Sequence, residues 1–162
     1  MAKKSMGSNA FLAVAVMAVG NAGGRITAGF LSDKIGRHRT LSLVLAFQAG
    51  MMFVAIPVVA SKGMAPGVIL LLATLIGFNY GANLSLFPSL TKDLWGLKNF
   101  GMNYGILFTA WGVGGFVLSR LQQTLTAAAG GSFQSSFITA GILLVGGAVL
   151  ALFIRVPGRA GA

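Results

Sequence analysis

The sequence has no cysteine, one histidine (His38) and only two acidic residues, Asp33 and Asp93, among 162 positions. Without cysteine there is no disulfide framework and no thiolate to hold a metal. A lone imidazole and two carboxylates far apart in the chain make a poor metal site, so neither metal nor cofactor is expected. A hydrolase-type constellation lacks its parts as well, so no catalytic residue is assigned and an enzyme is not expected. Charge of either sign is scarce, at 9% of residues, where a soluble domain carries about 25%.

What is present in abundance is apolar: 56% hydrophobic residues and a mean hydropathy of +0.84. Twelve Lys and Arg give a net charge of +10. In a soluble protein that excess would suggest nucleic acid, but here the bases punctuate long apolar runs instead of clustering with aromatics on a polar surface, which excludes nucleic acid as a partner. Five segments, near 10–31, 40–60, 66–87, 100–120 and 134–154, reach the roughly 20 residues needed to cross a bilayer as helix. Strands there would leave backbone groups unpaired in hydrocarbon. The expected fold is therefore all-α and polytopic, one domain over 1–162, with the lipid bilayer as its solvent. Short connections at 32–39, 61–65, 88–99 and 122–133 link the spans, and a basic tail follows.

The bases also suggest an orientation. If loop 32–39 is cytoplasmic, Lys34, Arg37, Arg39, Lys92, Lys98, Arg155 and Arg159 all lie inside, as do loop 88–99 and the carboxyl terminus. Lys62 and Arg120 then lie outside. Lys3 and Lys4 break the pattern, because five spans force them outside, and this points to a further helix before Met1. A competing reading takes 1–22 as a secretory signal, with Lys3 and Lys4 ahead of an apolar run and small residues up to Ala22. Against that, the apolar pattern continues to Leu31 and runs directly into the charged loop.

That loop reads G-x-x-x-D-x-x-G-R-x-R, formed by Gly29, Asp33, Gly36, Arg37 and Arg39. It resembles the loop signature of the major facilitator superfamily of secondary transporters, which recurs between helices 8 and 9. Further along, FPSLTKDLWG at 87–96, KNFGMNYG at 98–105 and AWGVGG at 110–115 resemble the helix 10 to helix 11 region of the oxalate/formate antiporter family, kin of the monocarboxylate transporters. NAGGR at 21–25 resembles that family's helix 8. The resemblance makes the five spans helices 8 to 12, an incomplete carboxyl-terminal half of a twelve-helix fold whose substrate site lies between its halves. It implies secondary transport of a small organic anion (a monocarboxylate, or an oxalate/formate-like species) by alternating access, through exchange or proton-coupled symport. The location it implies is a bacterial inner (plasma) membrane.

Arg25 is the sharpest candidate for substrate contact. It lies about six residues, roughly 9 Å of rise, inside the expected end of its span. A guanidinium at that depth is costly against lipid and is suited to a two-pronged grip on a carboxylate. Asn21, one turn away, extends the polar stripe. The other reading has Arg25 snorkelling to headgroups or pairing with an acid in the absent half. Tyr104, Phe108 and Trp111 share a face of the fourth span, and the resemblance implies that they shape the substrate cavity; core packing explains them equally well. Oxalate-handling relatives carry a second cation on this helix, whereas 101–119 holds no Lys or Arg, which favours a monocarboxylate. Asn79 and Asn83, one turn apart on the third span, either line the path or, the favoured expectation, bond between helices.

In the loop, the resemblance implies that Asp33 holds a helix end in the opposite half and so keeps a gate shut, with Arg37 and Arg39 adding hydrogen bonds and lipid contacts. For those two bases the alternative is a pure topology signal. Gly20, Gly24 and Ala28, Gly77 with Gly81, and Gly101 with Gly105 recur every four residues, spacing that lets helices approach closely. Three states of the chain remain open: part of a longer transporter, a non-transporting membrane subunit or scaffold, and a small transporter that self-associates.

Overall fold

The computed structural model describes residues 10–60 and 66–154. Among them are five helices and no strand: α1 (Ala10–Ile35), α2 (Arg37–Ala60), α3 (Pro66–Trp95), α4 (Phe100–Ala128) and α5 (Gln134–Leu152). All five are long and apolar enough to cross a membrane. The chain is an all-α polytopic membrane protein. Lys3, Lys4, Lys62 and the tail 155–162 lie outside the described residues, and so do their expected placements.

The helices outrun the apolar segments that announce them. The predicted loop 32–39 shrinks to Gly36, because α1 continues to Ile35 and α2 starts at Arg37. Gly36 adopts φ 92°, a left-handed conformation that ends a helix and that glycine reaches without a Cβ penalty. Its amide donates to the Ser32 carbonyl at 3.1 Å, and its own carbonyl accepts the Thr40 amide at 3.1 Å. Likewise α3 passes through Pro88 to Trp95 instead of stopping near 87, and α4 runs to Ala128 instead of 120. Hydropathy marks where the hydrocarbon ends, whereas helical hydrogen bonding persists beyond it until a glycine turns the chain.

Apolar side chains gain nothing by leaving lipid for a neighbouring helix, so close backbone contact and polar bonds have to hold the bundle. The most extensive interface joins α1 to α3, where glycines face the partner's backbone. A Cβ at Gly24 would collide with the Phe78 carbonyl, and one at Gly81 with the Asn21 carbonyl. Gly20 and Gly77 meet Thr74 and Met17 in the same way. The second large interface joins α2 to α5. There Ser42 Oγ donates to the Ala148 carbonyl at 2.8 Å, and Gly141 leaves room for the Phe53 ring.

The buried core gathers Ala28, Leu41, Val44, Ala82, Leu86, Leu90 and Ala151, all toward the end of the bundle that carries the Gly36 turn. α4 is the exception. It leans on α3 and α5 and meets α5 through Thr126 Oγ1 and Ser136 Oγ, 3.2 Å apart, yet none of its residues is buried. Gly101, Gly105, Gly112, Gly114 and Gly115 on α4 face open space, so the expected close packing through Gly101 and Gly105 is not present here.

Gly24→Leu should force α1 off α3 and destabilise the fold by about 1–3 kcal/mol or more. Gly112→Ala, with no neighbour to strike, should stay within about 1 kcal/mol of wild type. Thermal unfolding in detergent, followed by circular dichroism, measures both.

Candidate functional site

Three groups of side chains stand out, and the structure keeps them apart. The first surrounds the Gly36 turn. Because α1 ends and α2 begins within one residue, Ser32, Asp33 and Arg37 crowd together at the end of α3. Arg37 Nε donates to Asp93 Oδ2 at 2.6 Å, Nη1 donates to Ser32 Oγ at 3.1 Å, and Nη2 lies 3.6 Å from Asp33 Oδ1. Ser32 is fully buried, and its hydroxyl donates to the Gly29 carbonyl at 2.8 Å. Thr40 and Thr91, equally buried, donate to the Gly36 and Phe87 carbonyls at 2.9 and 2.8 Å.

The two carboxylates of this junction are unequal. The Arg37 and Asp93 side chains are 19% and 22% exposed, whereas Asp33 is 69% exposed. The resemblance gives Asp33 a partner in an opposite half, outside the described residues. Within the bundle Asp93 makes the close contact between α3 and Arg37 of α2, and Asp33 adds a longer ion pair across the Gly36 turn. Arg39 faces outward. Asp93 was visible in the sequence only as one of two acids. Its pairing depends on α3 continuing past Pro88, which hydropathy does not reveal.

The second group is Asn21 and Arg25 on α1. Arg25 Nε donates to Asn21 Oδ1 at 3.0 Å. With α1 extended to Ile35, Arg25 lies ten residues from the helix end, or roughly 15 Å of rise, the last turn carrying the charged residues Asp33 and Lys34. The side chain is exposed, so nothing among the described residues covers it. Since the chain contains only two acidic residues and both pair with Arg37, no acidic side chain is left for Arg25.

The third group is aromatic. Phe100, Tyr104, Phe108 and Trp111 form a ladder along α4, with centroids 5.6, 5.3 and 5.1 Å apart. Tyr80 of α3 approaches Trp111 at 6.5 Å. Tyr104, Phe108 and Trp111 line a cavity of about 330 Å³ together with Tyr80, Asn83 and Leu45. The three predicted aromatics are thus assembled, while Tyr80, Asn83 and Leu45 join from helices that pattern alone could not align with α4. Arg25 and Asn21 do not line this cavity, and α1 makes no contact with α4. The residues expected to contact substrate therefore lie in two separate clusters on the two sides of α3. Asn79 and Asn83 do not bond across helices as expected: Asn83 Nδ2 donates to the Asn79 carbonyl of its own helix at 3.0 Å, and both Oδ1 atoms are buried without a partner.

The profile of the Major Facilitator Superfamily matches residues 4–162. The chain belongs to the major facilitator superfamily. Among its relatives, the MFS transporter asaE of Aspergillus flavus is 36% identical over 135 residues, covering 83% of this chain and 30% of that protein. The uncharacterized MFS-type transporter YhjX of Escherichia coli is 31% identical over 106 residues, 63% of this chain and 24% of its own length. The oxalate:formate antiporter of Oxalobacter formigenes is 32% identical over 99 residues, 61% of this chain and 23% of that antiporter. The chain thus spans under a third of the relatives it matches. No solved structure matches this major facilitator chain. Its relatives are transporters, not enzymes, and they come from fungi as well as bacteria.

Asp93→Asn should weaken the bundle by about 1–3 kcal/mol, because it strips a charge-assisted bond from a half-buried guanidinium. Asp33→Asn should cost under about 1 kcal/mol, as exposed pairs do. Denaturant unfolding of the two variants tests the ranking. Equal effects would overturn the ranking.

Proposed function

We propose that this chain is the carboxyl-terminal part of a secondary active transporter for a small organic anion, working by alternating access through exchange or proton-coupled symport. The observation that supports this most is the isolated charge of Arg25. A guanidinium ten residues inside a membrane helix, held by Asn21 and left without an acid by Arg37, is a strong draw for an anion from outside the chain. A small carboxylate, monocarboxylate or oxalate/formate-like, supplies that charge and two acceptor oxygens. The named activity of the Oxalobacter formigenes relative supports the same class.

The Gly36 turn fits a gate. Arg37 holds α1, α2 and α3 together at the end read as cytoplasmic, and exposed Asp33 is free to meet another helical layer. The bare face of α4 supports such a layer, either an amino-terminal half or a second copy of the chain, with the anion site between the layers. In this reading the α1–α2 turn, residues 96–99 and the carboxyl terminus face the cytoplasm of a bacterial inner (plasma) membrane. The same bare face also supports a second reading, a helical membrane subunit or scaffold that transports nothing by itself.

Two measurements follow. With the protein purified from its source membranes by its tail and reconstituted in liposomes, Arg25→Ala should weaken uptake of labelled formate or acetate roughly tenfold to a hundredfold, the loss of a charge-assisted contact. Arg25→Lys should restore little, because an ammonium lacks the planar fork. Unchanged uptake in both variants would end the anion-site assignment. An antibody to residues 155–162 separates the two readings: a native band several times larger than 16.6 kDa supports the transporter part, and a 16.6 kDa band supports the free-standing subunit.

A further inference from the structure

We infer that the half of α4 farther from the Gly36 turn lines an aqueous vestibule, and that Arg120 at its edge draws small monovalent anions, carboxylates or sulfonates, into it. The inference stands on α4 and its turn into α5, and does not require Arg25 to be the carboxylate site.

Depth is the first ground. Thr126 Oγ1 and Ser136 Oγ, 3.2 Å apart, set α4 and α5 level with each other. Ser119 lies seven residues inward from Thr126 and Ile142 six inward from Ser136, roughly 10 and 9 Å along their helices. Down to that depth α5 turns Ile138 and Ile142 outward, 37% and 61% exposed, as a lipid-facing surface does. α4 instead carries Ser119, Arg120, Gln122, Gln123, Thr124 and Thr126 over the same stretch. One helix of the pair presents polar groups where the other meets hydrocarbon.

Polar satisfaction is the second. The Ser119 and Thr124 hydroxyls donate to the Gly115 and Arg120 carbonyls of their own helix, at 2.6 and 3.0 Å. The Gln122 and Gln123 amides are exposed and have no hydrogen-bond partner among the described residues. An amide turned to hydrocarbon forfeits its bonds to water, and the short glutamine stem does not snorkel to the headgroups as Lys and Arg do. Water reaching this face removes the cost.

Space is the third. A groove of about 550 Å³ runs beside α4, lined by Ser119, Gln122, Gln123 and Thr126 together with Gly131 and Phe133 from the turn into α5. It is polar and large enough to hold water and a small solute. No Lys, Arg, Asp, Glu or His lines it, so its wall neither repels nor traps an ion.

Arg120 supplies the sign. It shares a face of α4 with Gln123 and Ala127 (i, i+3, i+7), both of which line the groove. Its guanidinium carbon stands 5.6 Å from the centroid of the Phe116 ring. Stacking occupies one flat side of the fork and leaves the N–H groups at its rim free for an oxyanion. Both acids of the chain pair with Arg37, so no carboxylate quenches this charge. A base beside a low-dielectric cleft raises the local concentration of anions. A neighbouring layer would then meet α4 through its aromatic half and stand apart from its polar half.

The chain contains no cysteine, so one introduced thiol reports water at a chosen position. Ser119→Cys, Gln123→Cys and the lipid-facing control Ile142→Cys are compared in lipid nanodiscs. Each is reacted with an anionic reagent, methanethiosulfonate ethylsulfonate, and a cationic one, methanethiosulfonate ethyltrimethylammonium. The reacting species is the hydrated thiolate, so the two α4 positions should react roughly tenfold or more faster than the α5 position. Adding Arg120→Gln to Gln123→Cys should slow the anionic reagent several-fold while the cationic one holds its rate or gains, a contrast that shrinks at high salt. The retained cationic rate shows that the double variant is folded. Reaction at Ser119→Cys and Gln123→Cys as slow as at Ile142→Cys, with lipid or another helix over that face, would overturn the vestibule. Equal changes for both reagents, or none, would overturn the role of Arg120. The transport reading fails separately: uptake indifferent to Arg25→Ala, beside fast labelling on α4, would remove the Arg25 site and leave the vestibule in place.

Discussion

The Arg37–Asp93 bond is the interaction on which the charge arrangement of this protein depends. Twelve bases share two acids, and one guanidinium holds both of them. That concentration does two things at once. It fastens the start of α2 to the end of α3 beside buried Ser32, Thr40 and Thr91, where partial burial makes a charge-assisted bond worth more than on an open surface. It also leaves the other described bases, Arg25 included, without an acidic side chain as counter-charge. At the helix ends this matters little, because headgroups and water solvate Lys and Arg. Ten residues inside α1 it matters a great deal.

Lipid gives no hydrophobic incentive for helices to associate, and the bundle reflects this. Its two large interfaces are made by glycine against backbone, between α1 and α3, and by a serine hydroxyl and a glycine-shaped hollow, between α2 and α5. The closeness of α1 and α3 is also what carries Asn21 and Arg25 along the flank of α3. Their position is therefore set by Gly24 and Gly81 as much as by their own side chains. Tight packing is concentrated where the Gly36 turn closes the bundle, and it thins toward α4.

α4 is built differently. It has no buried residue, its glycines touch nothing, and it displays a row of aromatic rings. In the proposed reading, this uncovered face is where another helical layer would pack. The chain belongs to the major facilitator superfamily and covers less than a third of the relatives it matches.

Composition alone settled the solvent and the class: scarce charge, five apolar runs and the need to satisfy every backbone group in hydrocarbon leave only helices. The spacing Gly29, Asp33, Gly36, Arg37 and Arg39 marked the turn, because a left-handed residue and its flanking charges are local features. The aromatics of α4 were also legible, since residues three and four apart on one helix must share a face. What the sequence could not contain was any relation between helices. Apolar periodicity is weak when lipid and protein are equally apolar, so no pattern says which face of α3 meets α1 and which meets α4. Tertiary structure decided that Asp93 makes the close contact from α3 to Arg37, that Arg25 and the aromatics lie on separate sides of α3, and that Tyr80 and Asn83 complete the cavity. Each of these is a distance between residues far apart in the chain, set by close contact of helix backbones that no single segment encodes.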